Sequence, residues 1–97
     1  MADYLYQITP TRPGMPEEPT EAEAAAVEAH FGYLERHHDV GRVSFVGRTL
    51  TPPFVGLAVF DADDDEAATR FLNEDPGVAA GVFVGTVQPF RMVFPSP

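Results

Sequence analysis

Cysteine is absent from the 97 residues, and so is lysine. Without cysteine there is no disulfide, no thiolate nucleophile, no iron–sulfur cluster and no cysteine-ligated zinc. That suits a reducing compartment, and a cytoplasmic location is expected. Without lysine there is no lysine Schiff base. Positive charge is scarce: the 6 basic residues are all arginine, against 15 acidic ones, for a net charge of −9. A nucleic acid needs a basic footprint that this chain lacks, so no such partner is expected. No apolar run approaches the ~20 residues that cross a bilayer. The longest, Val55 to Phe60, has the length of a buried strand. Met1-Ala2-Asp3-Tyr4 offers neither a basic n-region nor an apolar h-region, so neither a signal peptide nor a membrane partner is expected.

What is present is ordinary for a globular protein, with 44% hydrophobic and 22% charged residues. The length suits a single domain over residues 1–97 with a limited core, which a second copy would help to cover. Asp3 to Thr9 alternates, with Tyr4, Tyr6 and Ile8 on one side and Asp3, Leu5 and Gln7 on the other, which predicts a half-buried strand. Pro10 to Pro19, rich in proline, predicts a long loop that could cover something. Thr20 and Glu23 have capping-box spacing and open a helix whose inward stripe reads Val27, His30, Phe31 and Leu34, with Gly41 as its stop. Val43 to Leu50 and Val55 to Asp61 predict two strands around the Thr51-Pro52-Pro53 turn, the later one central. Asp63 and Glu66 suggest the cap of a second helix that buries Ala67, Ala68, Phe71 and Leu72. Asp75-Pro76-Gly77 ends it, one further helical turn follows, and an extended stretch runs from Val82 to about Phe94. Gly85 and Pro89 interrupt that stretch, suggesting a bulge or two short strands.

The order β-α-β-β-α-β on an antiparallel sheet is the ferredoxin-like plan of the α+β class. Both helices should cover one face. The other face should carry Tyr4 or Leu5, Phe45 or Val46, and parts of the last strand. An exposed apolar face implies a partner, here a homodimer packed sheet against sheet.

Three segments carry a resemblance. Glu28-Ala29-His30-Phe31-Gly32-Tyr33-Leu34, Arg42 to Leu50 with Gly47, and Glu74-Asp75-Pro76-Gly77-Val78-Ala79-Ala80-Gly81 together resemble the YciI-like (YCII-related) family, in the family's order. The resemblance implies a dimeric α+β barrel and a catalytic pair at His30 and Asp75. It implies a cofactor-independent enzyme of the dehydrochlorinase kind. Two positions depart from the pattern. Val46-Gly47-Arg48 stands where Ser-Gly-Pro is frequent, which loses a hydroxyl and gains a cation. Gly77 stands where a phenylalanine is expected, which should enlarge the pocket.

His30 is the most informative residue. A titratable ring in an apolar stripe is costly unless hydrogen-bonded, and near neutral pH it can accept and return a proton. A core histidine bonded to a backbone carbonyl is the plainer reading. Asp75 is placed to cap the turn at Pro76, and one of its oxygens could cap while the other meets an imidazole. Arg48, if it points inward, is the candidate for gripping a carboxylate or enolate, with a surface role as the plainer reading. Tyr4, Tyr6, Tyr33 and Phe45 could line a pocket for a planar ligand, with Tyr4 and Tyr33 as the candidate substrate contacts, although aromatics in a small domain are usually core. His37 could share the face of His30, but a metal site would need a further ligand, and a solvated pair with His38 at the helix end is expected. The Asp61–Glu66 acidic run lacks the glycine and the later glutamate of a calcium loop. No metal and no cofactor are therefore expected.

The function read from the sequence is a lyase or isomerase in which His30, oriented by Asp75, transfers a proton on a small cyclic or aromatic substrate. The alternative is a non-catalytic module that binds a small ligand or serves to dimerise.

Overall fold

A computed structural model describes residues 2–95. The elements are β1 (Ala2–Pro10), α1 (Glu21–Asp39), β2 (Val43–Arg48), β3 (Gly56–Ala62), α2 (Asp65–Glu74), the one-turn α3 (Pro76–Ala79) and β4 (Phe83–Pro89). They form one four-stranded sheet in the order β2-β3-β1-β4, and each neighbouring pair is antiparallel. This is the ferredoxin-like α+β arrangement, with β1 and β3 central. Among the described residues, no helix is long and apolar enough to cross a membrane.

Strand alternation sets the core. Tyr4 pairs with Phe60 and Tyr6 with Ala58, so both tyrosines share a face with Ile8 and lie under the helices. Phe60 stacks on Phe71 of α2 with ring centroids 4.2 Å apart. Burying rings of this kind stabilises the fold by roughly 1.5–3 kcal/mol each. The side chain from β1 that reaches the opposite face is therefore Leu5, and Tyr4 is core.

The helix ends follow from the sequence. Thr20 caps α1: its side chain accepts from the Glu23 backbone, and Glu23 accepts from the Thr20 backbone. Gly41, at φ 82°, turns the chain out of the helix in the left-handed conformation that glycine tolerates. The cap of α2 is Asp64, one residue beyond Asp63, with its side chain on the Ala67 N–H. The buried side of α1 is His30, Tyr33 and Leu34, while Phe31 is 49% exposed. The helix is thus rotated by about one position from the expected stripe, and Phe31 faces a cleft instead of the sheet.

Two strands differ from expectation. β4 is continuous, and its register with β1 passes through Gly85 without a shift. Gly85 marks a close approach: a Cβ there would lie 2.7 Å from the Gln7 carbonyl oxygen and 3.1 Å from Leu72. β2 has an irregularity at Ser44, since Val43 faces Phe60 and Phe45 faces the next residue along, Val59. This β-bulge resets the alternation, so Val46 and Arg48 point to the helix side and Phe45 to the open side.

Candidate active site

His30 projects from the middle of α1 and is 4% exposed. Asp75, wholly buried, sits where α2 ends and α3 begins. Its Oδ1 accepts the Gly77 N–H at 2.8 Å, the expected cap. Its Oδ2 meets His30 Nδ1 at 2.7 Å and also accepts the Tyr6 hydroxyl. One oxygen therefore caps while the other holds the imidazole.

With Asp75 ionised, these contacts assign the proton positions. An ionised carboxylate only accepts, so the Nδ1 facing it carries a hydrogen and, in the neutral ring, Nε2 carries the lone pair. Tyr6 and His30 approach within 3.5 Å because both donate to the same oxygen. Burial first, and then the bond to Asp75, push the Tyr6 phenol far above its ordinary pKa, so it stays a donor. Nε2 takes part in neither His30 contact. No buried side-chain nitrogen or oxygen among the described residues lacks a partner. Nε2 is thus at the accessible surface, and His30 lines a cavity of about 210 Å³ with Phe31, Val46, Arg48, Phe54 and Phe83.

Aromatic rings frame the imidazole, with Phe31 and Phe83 centroids 5.0 and 4.9 Å away. Gly77 does not enlarge the pocket. Phe83 fills the space beside it, and a Cβ on Gly77 would lie 2.7 Å from that ring and 3.1 Å from the His30 Cβ. The aromatic wall comes from β4 instead of α3.

Of the other expected contacts, Arg48 lines the His30 cavity, but Tyr4 and Tyr33 do not. Tyr4 donates to Asp65 at 2.7 Å, and Tyr33 donates to the Phe71 carbonyl at 2.7 Å. Both are core, because β1 and α1 direct them towards α2. His37 is not a solvated partner of His38. It packs edge-on against Tyr33 and Phe71, and burial, followed by the charges of Arg42 and Arg36, lowers its pKa. Among the described residues, no three His, Cys, Asp or Glu side chains converge as metal ligands. Tyr6, expected only as one of several aromatics that could line a pocket, lines this cavity and donates to Asp75, a bond that sequence reasoning did not foresee. The residue's only signal was its place in an alternating strand, where a tyrosine reads as core.

A family model for the YCII-related domain matches residues 6–91. The chain belongs to the YCII-related family. No curated protein sequence matches it. Among solved structures it is similar to 5-chloro-2-hydroxyhydroquinone dehydrochlorinase (TftG) from Burkholderia phenoliruptrix AC1100, in complex with 2,5-dihydroxybenzoquinone. The TM-score is 0.71 at 18% identity, covering 97% of this chain and 99% of that one. It also matches SnoaB, a cofactor-independent oxygenase from Streptomyces nogalater, with a TM-score of 0.48 at 13% identity, over 98% of this chain and 97% of that one. This YCII-related chain thus shares its α+β fold with the dehydrochlorinase.

Proposed function

We propose that this protein is a small cofactor-independent enzyme that transfers a proton on a cyclic or aromatic substrate, by isomerisation or elimination. The observation that carries this reading is the buried 2.7 Å contact of His30 Nδ1 with Asp75, in a histidine that also lines a cavity. Nε2 removes a proton from an acidic hydroxyl or from carbon next to a carbonyl. The electron pair enters the ring system. It then either takes the proton back at another atom or expels a leaving anion such as chloride. Asp75 holds the ring in one tautomer and balances the imidazolium that forms. Arg48 is the substrate-binding cation. The dehydrochlorinase with the same fold supports a chlorinated hydroquinone as the first compound to try.

The test is turnover of 5-chloro-2-hydroxyhydroquinone and related cyclic enols by the native protein and by His30→Gln. Loss of at least about a hundredfold with folding intact is expected. Equal turnover by the variant would remove the proposal and leave a ligand-binding module.

A homodimer is part of the same reading. The sheet face away from the helices carries Leu5, Leu57, Val59 and a half-exposed Phe45, which a second copy would cover.

A further inference from the structure

A second cavity, of about 360 Å³, adjoins the first and shares Phe31, Arg48 and Phe83 with it. Its other walls are Met15, Pro16 and Pro19 from the loop, and Ala24, Val27 and Glu28 from α1. The loop is tied in place. Arg12 donates to both Glu23 carboxylate oxygens, at 3.0 and 2.6 Å, and to the Glu18 carbonyl at 2.8 Å, while Met15 is 4% exposed. The outer cavity is therefore a built feature of the fold.

Size and charge point to what it takes. The inner cavity, about 210 Å³, lies below the roughly 300–1,000 Å³ usual for small-molecule sites. It fits a ring and little more, so a larger ligand must extend past Phe31 and Phe83 into the outer space. Arg48 stands at that junction. Arg12, Arg42 and Arg70 bond to carboxylates or carbonyls, whereas Arg48 makes no ion pair or side-chain hydrogen bond among the described residues. Glu28 is the one acidic side chain on these walls and forms no ion pair with it. An anionic group is favoured at Arg48, and an uncharged one beyond it.

We propose that the substrate is an aromatic carboxylate in two parts, with a ring in the inner cavity against His30 Nε2, its carboxylate on Arg48, and an apolar extension in the outer cavity. This rests on the proton-transfer reading for the ring's place beside Nε2. A planar guanidinium matches a carboxylate through two parallel hydrogen bonds, which suits Arg48 to the role better than a point charge would.

Three probes separate the parts: salicylate (one ring with carboxylate), 1-naphthol (two rings without it) and 1-hydroxy-2-naphthoate (both), titrated calorimetrically against the full chain. The expected result is that 1-hydroxy-2-naphthoate binds about tenfold or more tightly than either of the others. Arg48→Gln should erase its advantage over 1-naphthol. Ala24→Trp, on the exposed first turn of α1, should fill the outer cavity and erase its advantage over salicylate while salicylate binds as before. Equal affinity for salicylate and 1-hydroxy-2-naphthoate, no binding by any probe, or an advantage that survives either variant would overturn the proposal. His30→Gln keeps the two readings apart. If the order of affinities persists in it but the native protein turns over no cyclic compound, proton transfer falls and the substrate class stands.

Discussion

Asp75 accepts from Tyr6, His30 and Gly77 while wholly buried, so each donor replaces water that the carboxylate has lost. Tyr6→Phe removes one donor without changing shape. The expected cost is about 1–3 kcal/mol of unfolding free energy, read by urea denaturation. A second expectation is a lower kcat with KM little changed, because Asp75 is held less firmly against His30; unaltered kcat would mean that Tyr6 serves folding alone. The sequence pattern marked His30 as a histidine interrupting an apolar stripe and Asp75 as a cap before Pro-Gly, while their pairing was expected from the family resemblance; the structure brings the two into contact. The bond from Tyr6 to Asp75 was not legible, because the partner lies 69 residues away and the neighbours of Tyr6 on that face of β1, Tyr4 and Ile8, are genuine core.

Gly77 belongs to the scale of elements, because it lets α3 close against β4 and α1. Gly77→Ala forces a Cβ to 2.7 Å from the Phe83 ring. A loss of about 1–3 kcal/mol is expected, measurable as a fall in the denaturation midpoint. The loop and α1 are joined through Glu23, whose carboxyl the Arg12 guanidinium, helped by the Thr20 backbone, holds at about 2 against an ordinary 4.5. A lowered folded pKa contributes stability that is present above the ordinary value and lost as pH falls through the folded one. Loop anchoring should therefore weaken between pH 4.5 and about 2, visible as a shift of the Met15 methyl resonance. Arg12→Ala should abolish that transition. The capping box at Thr20 was legible because its signal lies within four residues. The rotation of α1 and the bulge in β2 were not, since each depends on what the element packs against.

For the whole molecule, the element order and sheet class followed from alternation and capping signals alone. What covers the open face did not, since a sheet surface of mixed polarity carries no signature of its occupant. Leu5 and Phe45 flank Val59 in one cross-strand row, and Val59 is 3% exposed there even in the single chain. Placing Leu5→Glu with Phe45→Glu should turn a dimer into a monomer by light scattering. A dimer that survived both charges would assign this face to another role. With a net charge of −9, a pair of subunits also repels at long range. Added salt should then tighten the proposed dimer.

The bulge at Ser44 gives β2 something like a reading frame. Strict alternation from Val43 would send Arg48 to the open face and Phe45 to the helix side. Deleting Ser44 would keep the phase downstream. Inserting one residue between Phe45 and Val46 would invert it, exchanging the cavity's cation for a residue from the opposite face with no change in composition beyond the insertion. Relatives that differ in length by one residue in this strand can therefore share a fold and present opposite chemistry to a ligand.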